Sequence, residues 1–95
     1  MLKVVTVCGN GIGSSLLLKM KIERIAKENN IDVEAESIDS GNAHGISADL
    51  IVTVKELAKD FPDDQPVAII RSYTNKKKII EDVLPKLKEL DAQQN

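Results

Sequence analysis

Aromatic residues are nearly missing from this chain of 95 residues: Phe61 and Tyr73 are the two, and tryptophan is absent. The core must therefore be built from Leu, Ile, Val and Ala, and there are no stacking platforms for nucleobases. No single sign of charge dominates either. Thirteen Lys and Arg stand against 15 Asp and Glu, a formal net charge of -2, and the two signs are interspersed. With no basic face to track a phosphate backbone, nucleic acid is excluded as an expected partner. Cysteine and histidine occur once each, as Cys8 and His44. One cysteine cannot form an internal disulfide, and the pair is a poor basis for a structural zinc site. No cofactor or metal is expected, and the thiol is expected to be reduced. No run approaches the about 20 apolar residues of a membrane helix. The start, Met1-Leu2-Lys3 and a short apolar run ending at Gly9, is too brief and too soon glycine-rich for a signal peptide. The expectation is a cytoplasmic protein with no membrane insertion of its own.

What is present reads as one domain, residues 1–90, with a tail over 91–95 that should fray. A chain of this size buries roughly two-thirds of its unfolded surface and can fold without staples. Four short β-branched and aliphatic runs read as strands: Leu2 to Val7, Ile31 to Ile38, Leu50 to Val54 and Val67 to Ile70. The first, third and fourth are almost continuously apolar, as strands covered on both faces are, whereas the second alternates and belongs at an edge. Ser14 to Asn29 has helical spacing, with Leu18, Ile22, Ile25 and Ala26 in one stripe. From about Asn75 to Leu90 a second apolar face runs through Ile79, Val83 and Leu87, with Pro85 expected to kink or divide that helix. The stretches around Asn42 to Ser47 and Lys55 to Asp60 each have room for a helical turn or two. Strands alternating with helices predict an α/β fold: a small four-stranded parallel sheet in the order 2-1-3-4, Rossmann-like, with helices on both faces. In that order the switch point, where open parallel sheets bind ligands, lies at the C-terminal end of the first strand.

That position carries Cys8-Gly9-Asn10-Gly11-Ile12-Gly13-Ser14-Ser15, with the sole cysteine and three of the five glycines. About six residues turn the chain from strand to helix, so their N–H groups converge into an anion nest above the helix N-terminus. Glycine at 9, 11 and 13 permits positive φ and close approach of an anion, and Ser14 and Ser15 can cap the helix or donate hydroxyl hydrogen bonds. A thiol at the mouth of such a nest is pushed toward thiolate, a nucleophile.

Several motifs fit the loop badly. A dinucleotide fingerprint wants G-x-G-x-x-G, but Gly9 opens G-N-G-I-G-S. A Walker A loop needs a lysine, and none occurs between Lys3 and Lys19; a thioredoxin-type site needs a second cysteine. The nearest structural competitor is the phosphate loop of low-molecular-weight cysteine phosphatases, in which an arginine follows the cysteine by six residues. That position is Ser14 here. A phosphoryl group held by neutral donors on a good leaving group is readily accepted and readily released, which suits relay better than hydrolysis.

Val7-Cys8-Gly9-Asn10-Gly11-Ile12-Gly13-Ser14-Ser15, followed by Leu18-Lys19-Met20-Lys21, resembles the EIIB components of the phosphoenolpyruvate-dependent sugar phosphotransferase system (PTS), of the ascorbate type with the galactitol type as neighbour. The specific part of the likeness is the first 25 residues or so; beyond it, length and strand–helix order agree. The resemblance implies a phosphocarrier in which Cys8 takes a phosphoryl group from a phosphohistidine on cytoplasmic EIIA and passes it to the substrate, L-ascorbate, held by membrane EIIC. It implies a cradle made by Gly9 to Ser15 and a location at the inner face of the membrane through EIIC. The alternatives are a low-molecular-weight phosphatase or arsenate-reductase-like hydrolase, a galactitol-type EIIB, and a regulatory module that binds anions without chemistry.

Each candidate residue also has a plainer reading. Cys8 can be a small buried hydrophobe ending a strand, and the serines simple helix caps. Leu16 and Met20 lie across the first helix from its core stripe and suit an apolar docking patch for EIIA or EIIC, unless another loop covers them. Arg71, after the last strand, can touch the phosphate or a partner, or be an ordinary exposed arginine. His44 faces the ligand edge in this topology as a second acceptor or an acid, or is a solvated loop residue. The Lys76-Lys77-Lys78 run reads as a solvated first turn.

Overall fold

The computed structural model describes residues 1–9, 12–39, 41 and 46–94, and of residues 8, 12–15 and 94 it describes the backbone only. Seven elements follow one another: β1 (Leu2–Cys8), α1 (Ile12–Glu28), β2 (Val33–Asp39), β3 (Leu50–Thr53), α2 (Lys55–Ala58), β4 (Val67–Ile69) and α3 (Lys76–Gln94). The four strands form one sheet in the order β2-β1-β3-β4 with every pairing parallel. This is the expected α/β architecture, with the alternating strand at an edge. Register runs from Leu2↔Val33 to Cys8↔Asp39 on one side of β1 and from Val4↔Leu50 to Thr6↔Val52 on the other.

Period-two alternation splits the core into two layers. On one face, Leu2 and Val4 of β1, Leu50 and Val52 of β3 and Ala68 of β4 pack against Leu18, Ile22 and Ile25 of α1 and Ile79, Val83 and Leu87 of α3. On the other, Val5, Val7 and Ile51 are covered by Ile38, Ile46, Leu57, Phe61 and Val67. Helices therefore flank both faces, α1 and α3 on one and the single turn of α2, which carries Leu57, on the other. β4 departs from the expectation of a strand covered on both faces. It is the second edge, and Ile69 is 47% exposed; three residues at the end of a sheet gain too few neighbours to bury both sides.

α1 begins at Ile12, two residues before the expected start, and ends in a Schellman motif. Ile31 N donates to Ala26 O at 2.9 Å and Asn30 N to Lys27 O at 3.2 Å. Asn30 takes the left-handed conformation this requires, with φ of 58°. Asn29 adds a side-chain bond, Nδ2 to Ile25 O at 2.8 Å. The start of α3 is capped by Asn75, whose Oδ1 accepts from Lys78 N at 3.1 Å, while Ser72 Oγ accepts from Asn75 N at 3.1 Å.

Pro85 does not divide α3, which runs unbroken from Lys76 to Gln94. Its ring is on the exposed side, and Ile79, Val83 and Leu87 remain fully buried across it. Packing of that stripe outweighs the missing hydrogen bond. The helix also continues past Leu90, the expected end, because Leu90 itself packs on the core and anchors the last turns.

Candidate functional site at the carboxyl edge of the sheet

The chain runs from β1 to an edge strand, β2, and then back across to β3, so β1 and β3 flank the point where the connections diverge. At the carboxyl ends of these strands lie the Cys8 backbone, Gly9, Asp39, Thr53 and the start of α1. In any α-helix the first four N–H groups have no acceptor inside the helix. In α1 these include Ile12, Gly13 and Ser14, the first of them four residues beyond the end of β1. They carry the positive end of a dipole spanning 17 residues. No acidic residue occupies the first turn of α1, so the partial charge there favours an anion.

Because α1 starts at Ile12, Ser14 and Ser15 are inside its first turn rather than at the cap. An N-cap flanks the first helical residue, so the expected capping role does not apply to them. Gly9 is exposed, its φ lies outside the left-handed range, and a methyl group built on it makes an ordinary contact of 3.7 Å with Leu57 Cδ1. The positive φ expected there is not needed. Asn10, Gly11 and His44, and the side chains of Cys8, Ile12, Ser14 and Ser15, lie outside the described residues.

Two hydroxyls meet at the end of β1. Thr53 Oγ1 donates to Val7 O at 3.1 Å in a fully buried setting, and Tyr73 Oη lies 3.4 Å from the same oxygen. Neither residue stands out in the sequence as part of a site. The available signal was a lone hydroxyl ending the apolar run Leu50 to Val52, and the only tyrosine of the chain.

Arg71 is engaged with α3. Its Nε donates to Asp82 at 3.2 Å, its Nη2 to Glu81 Oε1 at 3.0 Å, and its backbone N to Asp82 Oδ2 at 3.1 Å. Asp82 first and then Glu81 hold its pKa above the ordinary arginine range, so the charge is present at every working pH. These contacts brace the turn from β4 into α3.

Along α1, Leu16, Leu17 and Met20 are 42%, 51% and 56% exposed. They lie opposite the buried stripe Leu18, Ile22, Ile25. Leu17 widens this exposed side, with Met20 between it and Leu16 on the helical wheel. With Met20, Lys21, Arg24 and Lys76 it lines a groove of about 310 Å³. Lys76 also pairs with Glu28 at 3.3 Å. Among the described residues, no three His, Cys, Asp or Glu side chains come together as a metal-ligand set, and no helix is long and apolar enough to cross a membrane.

An open parallel α/β sheet with a helix N-terminus at its switch point places the chain among small doubly wound α/β domains, whose ligands bind at that point. Residues 3–86 match the family described as PTS system, Lactose/Cellobiose specific IIB subunit, and the chain belongs to that family of phosphotransferase components, which work with the other components of the PTS. Among curated proteins, the chain is 34% identical over 71 residues to the ascorbate-specific PTS system EIIB component of Mycoplasma pneumoniae, covering 73% of this chain and 75% of that protein. It is 34% identical over 61 residues to proteins of the same description from Escherichia coli O157:H7 and Salmonella choleraesuis, covering 62% of this chain and 60% of each of them.

Proposed function

We propose that this chain is the phosphocarrier EIIB component of an ascorbate-type PTS, with Cys8 as the phosphorylated residue. The Cys8 thiolate attacks the phosphorus of a phosphohistidine on EIIA; the S–P bond forms as the N–P bond breaks, and the histidine leaves neutral after taking a proton. A substrate hydroxyl presented by EIIC then attacks phosphorus. The O–P bond forms, the S–P bond breaks, and the hydroxyl proton passes to solvent or a partner base. The N–H groups of the Gly9 to Ser15 segment, Asn10, Gly11, Ile12, Gly13 and Ser14 included, cradle the equatorial oxygens.

The observation that carries this reading is the coincidence of three things: membership of the IIB family over residues 3–86, the sole cysteine as the last residue of β1 at the switch point, and the start of α1 three residues beyond Gly9. Ascorbate rests on the names of the relatives. With no arginine six residues after Cys8, and Arg71 paired to Asp82 and Glu81, relay is favoured over a phosphatase-type hydrolysis. The place of action is the cytoplasmic face of the membrane, with EIIC as the membrane partner. The exposed Leu16, Leu17 and Met20 on α1 supply the apolar centre of a docking face for EIIA and EIIC.

Incubation with phosphoenolpyruvate, the general PTS carriers and an EIIA protein should add one phosphoryl group, on Cys8. The adduct should be absent in Cys8→Ala, and ascorbate should be phosphorylated when EIIC membranes are added. Rapid hydrolysis of an aryl phosphate without partners, or full transfer by Cys8→Ala, overturns the reading.

A further inference from the structure

We propose that Thr53 and Tyr73 are positioning residues for Cys8, acting through the carbonyl oxygen of Val7; the inference rests on Cys8 being the phosphoryl acceptor. The pairing of β1 with β3 ends at Thr6↔Val52. One residue further, Val7 O accepts from Thr53 Oγ1 at 3.1 Å, and Tyr73 Oη stands at 3.4 Å. A carbonyl oxygen has two lone pairs, so it can take both donors. The peptide group is planar, and the oxygen of Val7, the N–H of Cys8 and the Cα of Cys8 share one plane. Holding the oxygen therefore fixes the direction in which the Cys8 N–H points and the place from which its side chain departs.

The two donors arrive from separate rigid parts of the fold. Thr53 ends β3, and its own carbonyl is held by Ile70 N at 2.9 Å, so its hydroxyl is tied between β1 and the end of β4. Tyr73 comes from the turn between β4 and α3 and packs its ring against the main core. Valine has nearly the shape of threonine and would fill the buried position without a hydroxyl to satisfy. A buried hydroxyl is costly unless bonded, and at Thr53 the bond goes to the residue preceding Cys8. An attacking sulfur must be in line with the bond that breaks, and small displacements of a nucleophile lower rates steeply.

The test is a set of variants, Thr53→Val, Thr53→Ser and Tyr73→Phe, with two readouts beside urea stability. The first is the pH profile of Cys8 alkylation by iodoacetamide in the folded protein, which requires no partner. The second is the rate of phosphoryl uptake from phosphorylated EIIA. Thr53→Val should shift the alkylation profile and slow uptake by about tenfold, the size expected for one buried hydrogen bond. Thr53→Ser should restore both, and Tyr73→Phe should slow uptake by a smaller factor, about threefold. If all three variants fold and keep the parent profile and rate, the inference is overturned. It is likewise overturned if Thr53→Ser is as impaired as Thr53→Val. Cys8→Ala that still accepts phosphate would refute the phosphocysteine reading instead, and the alkylation profiles would still report whether the two hydroxyls set the thiol.

Discussion

At the scale of single residues, Gly9 follows the last residue of β1 with a backbone that needs no left-handed conformation, and a methyl group there finds ordinary contact with Leu57. If Gly9 is retained for close approach of an anion, Gly9→Ala will separate fold from function. Urea denaturation should give a stability equal to the parent or up to about 1 kcal/mol higher, because alanine narrows the unfolded ensemble. Phosphoryl uptake from EIIA should fall by about tenfold or more, as expected when oxyanion donors are held off. Unchanged uptake would show that the anion does not approach the Gly9 backbone. Arg71 supplies the opposite lesson. In the sequence it is a cation placed at the ligand edge; in the fold its charge is spent on Asp82 and Glu81.

Among the elements, α3 carries an internal contradiction that packing resolves. Pro85 removes one N–H and crowds the preceding turn, at a cost of about 3 kcal/mol in a helix interior. Yet the helix is continuous over 19 residues, because Ile79, Val83 and Leu87 are fully buried on the opposite side. Pro85 itself is exposed, so alanine there removes the penalty without touching the core. Pro85→Ala should raise the unfolding free energy by about 1–3 kcal/mol in urea titrations, with phosphoryl transfer unaltered; a loss of stability would mean that the ring packs usefully. The helical spacing of α1 and α3 was legible in sequence because a buried stripe leaves a period. Their exact ends were less so. α1 starts at Ile12 and α3 continues to Gln94, since helix ends are set by local caps and by packing of residues such as Leu90, which leave no periodic trace.

For the whole molecule, the sheet order β2-β1-β3-β4 brings the start of α1 to the ligand edge and leaves one side of that helix uncovered. Leu17 and Met20 there border a groove rimmed by Lys21, Arg24 and Lys76. A partner surface with an apolar centre and acidic rim fits it. Leu17→Asp combined with Met20→Asp should raise the KM for phosphorylated EIIA or for EIIC by about tenfold, the effect of losing a central apolar contact. The alkylation profile of Cys8 should stay at the parent value. Equal KM for both partners in the double variant would remove this face from the docking interface.

The sequence alone determined the class of the protein: hydrophobic periods set four strands and two long helices, an alternating strand sets one edge, and the lone cysteine before a glycine-rich turn marks the switch point. These are local or periodic properties, and a chain cannot bury its apolar residues without displaying them. Tertiary structure alone decided that Arg71 turns to α3, that Ile69 is left at an open edge, and that Thr53 and Tyr73 converge on Val7 O from positions 46 and 66 residues away. Such pairings depend on which strands and turns become neighbours, and sequence spacing carries no measure of that proximity.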